Sequence, residues 1–154
     1  MQVKIISGGQ TGVDRGALDG ALEAGADCGG WCPKGRKAED GVIDKCYPLT
    51  ETTSDQYVFR TKRNILDSDG TLIIYFDDLE GGTARTLEFC QELKKPCYLV
   101  NATDISPSQT VAKIKMFLKE NAIKSLNVAG PRASKQSHAR EYTKEVIMKV
   151  LAKT

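Results

Sequence analysis

The 154-residue chain predicts an α/β fold built on a mostly parallel sheet, and three observations carry that prediction. Apolar runs at residues 3–7, 71–76, 97–101 and 125–129 alternate with stretches of helical period, the rhythm of strands joined by crossover helices. Glycine-rich turns follow several of these runs directly. The apolar content of 40% over this length fills one core and is too short for two of typical size, so residues 1–154 are expected to form one domain.

Val3, Ile5 and Ile6 read as the first strand, and Val13, Ala17, Leu18, Ala21 and Leu22 share one face of the helix that follows. Between them Gly8, Gly9, Gln10, Thr11 and Gly12 form a candidate phosphate loop. Its glycines permit tight backbone paths, and the helix start offers N–H groups and partial positive charge. The spacing G-G-x-x-G is neither the dinucleotide fingerprint nor the Walker loop. Asp14 stands where a helix N-terminus favours a carboxylate, so electrostatics accounts for it without catalysis.

A short strand is expected around Gly30 to Cys32, with Trp31 either stacking on a ligand ring or anchoring the core. From Pro33 to Asp55 turn formers dominate, and the stretch reads as a long excursion with neither helix nor strand. Within it Lys34 and Arg36 flank Gly35, a spacing at which both side chains reach one phosphate. Glu39 and Asp40, immediately after, are candidate acceptors for a ligand ring.

The helix from Tyr57 to Asp67 sets Tyr57, Arg60 and Asn64 on one stripe, making Arg60 and Asn64 candidate pocket residues. After the 71–76 strand come the acidic Asp77, Asp78 and Glu80, then Gly81-Gly82-Thr83, where Gly82 and Thr83 offer backbone donors and a hydroxyl ahead of a helix from Ala84. Later helices begin near Ser108 and Ser137. Tyr142, Val146, Ile147, Val150 and Leu151 make the last one amphipathic, and Gly130-Pro131-Arg132 follows the 125–129 strand. Ligands of open α/β sheets bind at the carboxyl ends of the strands, so these loops are expected to converge on one site.

With 22 Lys and Arg against 20 Asp and Glu, the formal charge is +2, and without a dense basic block no general nucleic-acid binding is expected. No apolar run reaches about 18 residues and the first strand begins at Val3, so a cytoplasmic protein without membrane span or leader is expected. Five cysteines, an odd number, read as reduced thiols. The sole histidine, His138, is expected at the surface, and no Cys or His spacing suits a metal, so no protein-bound metal site is predicted.

Ser7-Gly-Gly-Gln-Thr-Gly-Val-Asp-Arg-Gly-Ala-Leu-Asp, Gly29-Gly-Trp-Cys-Pro-Lys-Gly-Arg-Lys-Ala-Glu-Asp-Gly, Tyr47-Pro-Leu-Thr-Glu-Thr, Arg60-Thr, Ser68-Asp-Gly-Thr-Leu and Gly81-Gly-Thr together resemble the putative molybdenum carrier family, from residue 5 to about residue 100. The resemblance implies a Rossmann-like three-layer sandwich with about five strands, related to DNA-processing protein A and LONELY GUY phosphoribohydrolase folds. It further implies a homo-oligomeric carrier that binds molybdenum cofactor (molybdopterin), or another phosphorylated pterin or nucleotide-like ligand, at the strand C-terminal edge and passes the cofactor to molybdoenzymes. The alternative is a nucleotide-derivative hydrolase or nucleotide sensor with Asp14 or Glu88 as acid/base. Against hydrolysis, Gly81-Gly82-Thr83-Ala84-Arg85-Thr86 lacks the third glycine of the phosphoribohydrolase motif, and Glu88 is displaced from its catalytic glutamate. A binding protein rather than an enzyme is therefore the expectation.

Overall fold

The computed structural model describes residues 2–153. Its elements in chain order are β1 (Lys4–Ile6), α1 (Val13–Glu23), β2 (Cys28–Gly29), β3 (Trp31–Cys32), β4 (Lys37–Ala38), β5 (Gly41–Val42), β6 (Thr50–Glu51), α2 (Tyr57–Asp67), β7 (Gly70–Tyr75), α3 (Gly81–Glu92), β8 (Cys97–Asn101), α4 (Pro107–Glu120), β9 (Ser125–Ala129) and α5 (Ala139–Leu151). Five strands form one sheet in the order β2-β1-β9-β7-β8, and every pairing in it is parallel.

The predicted α/β class therefore holds, and α2, β8 and β9 keep the residues read from the sequence. Other boundaries differ. The short strand expected around residues 30–32 is present as Trp31–Cys32, and a further strand, Cys28–Gly29, forms the edge of the sheet; between them Gly30, at φ 132°, turns the chain out of the sheet against the Ser7 backbone, where any Cβ would collide. Trp31 and Cys32 instead pair in parallel with Thr50 and Glu51. The excursion also contains the antiparallel hairpin of β4 and β5, so residues 33–55 are not strandless, as expected, but tied by two-residue ladders. Helix α3 starts at Gly81 rather than Ala84.

Alternation along the strands sorts the layers. Leu72 and Ile74 of β7 and Leu126 and Val128 of β9 join Val13, Ala17, Ile114, Val146 and Ile147 in one cluster, which places α1, α4 and α5 on one face. Fully burying each such side chain contributes about 1.5–3 kcal/mol. On the opposite face α2 and α3 pack through Ile65, Phe89 and Cys90, and here the strands present Thr71 and Asn127, whose Nδ2 donates to Thr71 Oγ1 at 3.3 Å. Gly16 lets α1 approach the Arg140 carbonyl of α5 so closely that a Cβ would clash. Helix α4 has a complete capping box, with Gln109 N donating to Ser106 Oγ, Ser106 N donating to Gln109 Oε1, and Pro107 in its first turn.

All five cysteines are free thiols. Among the described residues no helix is long and apolar enough to cross a membrane.

Candidate ligand-binding crevice

The carboxyl ends of β1, β7 and β9 open into one crevice at the middle of the sheet. Gly8 and Gln10 reach it from the turn after β1, Asp14 from α1, and Tyr57, Arg60, Thr61 and Asn64 from α2. Phe76, Asp78, Glu80, Gly82, Thr83 and Thr86 border it after β7; Asn127 borders it from within β9, and Gly130, Arg132, Lys135 and Gln136 from the loop after it. The stripe read on α2 thus turns inward, where Arg60 and Asn64 are buried.

Arg60 is held tightly. Its guanidinium lies across Gly8, where a Cβ would collide with it, and Nη1 donates to the Tyr57 carbonyl at 3.1 Å. The Tyr57 ring centroid is 5.1 Å from the guanidinium carbon, a cation–π distance. Nη2 stands 3.7 Å from Asp14 Oδ2, with the two side chains 9% and 10% exposed. Burial pushes the Asp14 carboxyl up to about 6, although Arg60, the Gln10 N–H and Arg15 all pull it down. Desolvation exceeds the Coulombic gain of this long ion pair. The same burial lowers the Arg60 pKa, opposed by Asp14.

The glycine loop is largely bonded to itself. Gly9 N donates to Ser7 Oγ, Gln10 N to Asp14 Oδ2 and Thr11 N to Gln10 Oε1. Gly9 packs under Leu49 and Ile43, and Gly12, at φ 81°, packs against the Pro131 carbonyl. Thr11 Oγ1 donates to Glu39 and accepts from Ala133 N. Of the five candidate loop residues, only Gly8 and Gln10 border the crevice; Gly9, Thr11 and Gly12 shape the turn behind it.

Lys34 and Arg36 are not brought to the crevice either. Lys34 is exposed, and the Arg36 guanidinium donates to the carbonyls of Ile43, Asp44, Tyr47 and Leu49 at 2.7 to 3.2 Å. It organises the excursion, as a fork with five donors suits. Trp31 does not line the crevice: its Nε1 donates to Asp67 at 2.7 Å and its ring lies under Arg63, fixing β3 to α2. Glu39 ties the excursion to two crevice loops, accepting from Ser134 N and Oγ as well as from Thr11.

Gly82 and Thr83 do line the crevice. Helix α3 has no side-chain cap, and a Cβ on Gly82 would meet nothing within 4 Å, so the first turn stands open. Glu88 does not: it is half exposed and ion-paired with Arg85 at 3.1 Å. Asp19 is bound by Arg140 at 2.7 Å and by Tyr47 Oη at 2.5 Å, also outside the crevice. Among the described residues no group of three or more His, Cys, Asp or Glu side chains is placed to hold a metal ion, Asp77, Asp78 and Glu80 included. Sequence reading passed over Asn127, Thr86, Lys135 and Gln136. Asn127 had a signal, a polar residue inside an apolar strand run, whereas Lys135 and Gln136 had only their place after a strand.

This sheet, with a crevice at the carboxyl ends of its central strands, defines a Rossmann-like α/β protein. A family model described as the circularly permutated YpsA SLOG family matches residues 5–151, and the chain belongs to that family. It is similar to a solved structure from Syntrophus aciditrophicus described as a "putative molybdenum carrier protein", with 44% identity, a TM-score of 0.95, and coverage of 98% of this chain and 96% of that one. A comparison with curated proteins gives no match.

Proposed function

We propose that this chain is a carrier of a phosphorylated, nucleotide-like small molecule, with molybdenum cofactor as its cargo, and that the ligand lies in the crevice between α2, α3 and the loop after β9. The observation that carries the reading is the meeting of a buried, pinned Arg60 with Arg132, Lys135 and the open first turn of α3 around one polar crevice. These groups suit a phosphate, and the similarity to a bacterial protein described as a "putative molybdenum carrier protein" supports a molybdenum-bearing cargo.

In this reading the anion subsite is centred on Arg60, Gly82 and Thr83 rather than on the Gly8–Gly12 loop. In that loop the N–H groups of Gly9, Gln10 and Thr11 donate to the side chains of Ser7, Asp14 and Gln10, and Gly8, by its missing side chain, makes room for Arg60. Asn64 stays with the crevice wall, since its side chain accepts from Trp31 N at 2.7 Å and donates to the Trp31 carbonyl at 3.0 Å. Gln10 is held similarly, its Oε1 accepting from Thr11 N and Glu39 N. Lys34 and Arg36 have no part in binding.

A nucleotide-derivative hydrolase is the second reading. One observation favours it, the buried Asp14 carboxyl in the crevice wall, which desolvation pushes up to about 6. It is weakened by Glu88, which lies outside the crevice and is paired with Arg85.

Native mass spectrometry on protein isolated gently from a molybdenum-cofactor-producing host, with elemental analysis for molybdenum, tests the proposal. A pterin-sized adduct carrying molybdenum is expected, and the same spectrum gives the subunit count. A nucleotide-sized adduct without metal overturns the cargo assignment in favour of the second reading.

A further inference from the structure

Arg60 and Asp14 face each other inside the crevice with an unusual balance. Both are pinned, Arg60 by Gly8, Tyr57 and its own burial, Asp14 by the Gln10 N–H at 3.3 Å. Neither can close the gap, so they stand 3.7 Å apart, while good charge-assisted contacts lie at about 2.7–2.9 Å. The Arg60 side chain forms one hydrogen bond, to the Tyr57 carbonyl, and otherwise borders the crevice.

We infer, on the crevice reading proposed above, that Asp14 is an internal counter-ion that a ligand's anionic group replaces on Arg60, and that Asp14 takes up a proton from solvent as the anion enters. An anion at Arg60 sits beside the Asp14 carboxylate in a buried site, and two negative charges cannot share it without cost. Protonation converts the carboxylate to a neutral acid, whose remaining acceptor oxygen keeps the Gln10 N–H satisfied. In the free protein burial has already moved the carboxyl to about 6, so an added negative charge carries it towards neutral pH.

The surrounding charges leave this role to Asp14. Arg15, on the same helix, is turned away, donating to the Gly9 carbonyl at 3.0 Å and to both oxygens of Asp40 at 3.1 and 3.2 Å. From α2 come Arg60 and Tyr57; from β3 comes the Cys32 thiol, itself pushed up by burial. Across the crevice Glu80 and Lys135 stand 4.0 Å apart, both partly exposed, with Asp78 and Arg132 on the same rim. Asp14 is the deeply buried carboxylate of the set.

The sign follows. Below about pH 6 Asp14 is neutral and Arg60 is free to take an anion; above it the ion pair competes. Anion affinity falls as pH rises, by up to about tenfold per pH unit where one proton is taken up. Sodium sulfate is the probe, because its charge is constant between about pH 5 and pH 8. Backbone amides of Gly8, Gly82 and Thr83 are followed by NMR in a sulfate titration at several pH values and constant ionic strength, while the Asp14 carboxyl carbon is titrated with and without sulfate.

The expected result is a sulfate affinity that drops from pH 5.5 to 7.5, an Asp14 carboxyl that titrates at higher pH with sulfate present, and an Asp14→Asn protein that binds about tenfold more tightly at pH 7.5 with little pH dependence. Sulfate binding with a flat pH profile and an unmoved Asp14 titration overturns the counter-ion role and leaves the crevice standing. No response of the crevice amides at any pH overturns both. The carbon titration on the unaltered protein decides the matter even where Asp14→Asn does not fold.

Discussion

Arg36 shows how a residue type can be read correctly and its task not. A flexible Lys-Gly-Arg segment in a loop suggests an anion clamp, yet the arginine adopts φ 55° and its guanidinium gathers four carbonyls of its own excursion. Arg36→Ala would strand those acceptors, and a loss of about 3 kcal/mol is expected in urea unfolding, with Arg36→Lys recovering little because one ammonium cannot reproduce the fork. Sulfate or phosphate binding by the residual folded protein should be unchanged, which an anion clamp would not allow. Arg60 and Asn64 were legible because helical spacing fixes which side chains share a face. Lys34 and Arg36 were not, because a loop carries no period from which direction can be read. Asp14 was visible as a helix-start carboxylate, but its burial against Arg60 depends on α2 bringing that arginine over Gly8, which no local pattern encodes.

At the scale of elements, boundaries followed the strength of local signals. Strands β8 and β9 were read to the residue and β3 was found within residues 30–32, while β2 was missed because Gly29 and Gly30 look alike in sequence and differ only in the turn that Gly30 makes against Ser7. Three strands inside the excursion are two residues long, too short for alternation to register. The crossing of α1 and α5 was equally hidden, since Gly16 in mid-helix reads as a weak position. Packing explains it: the Arg140 carbonyl occupies the space a Cβ would need. Gly16→Ala gains up to about 1 kcal/mol of helix propensity and loses about 1–3 kcal/mol to overpacking, so net destabilisation in a urea melt is expected. Gly82→Ala, facing open space in the first turn of α3, should leave the melt nearly unchanged.

Across the whole molecule, the main apolar core holds α1, α4 and α5 to the sheet, and the excursion is fastened by a smaller apolar cluster, in which Ala38, Ile43 and Tyr47 pack with Leu18 of α1 and Cys32, together with a few polar ties. Amide exchange should therefore be slowest in β7 and β9 and faster throughout residues 33–55. Removing the Glu39 clasp by Glu39→Ala should raise exchange in the β4–β5 hairpin and around Ser134, measured by hydrogen–deuterium exchange, while β7 remains protected. Equal acceleration everywhere would mean that the clasp supports the core itself. The sheet order carries a last consequence, for how the chain is born. Strand β9 follows β1, β2, β7 and β8 in the chain yet lies between β1 and β7, so until it emerges the nascent protein holds two half-sheets with bare inner edges, β1 with β2 and β7 with β8. The crevice, whose walls come from both halves, is assembled only when this keystone arrives, and the growing chain has no site to fill before β9 has emerged.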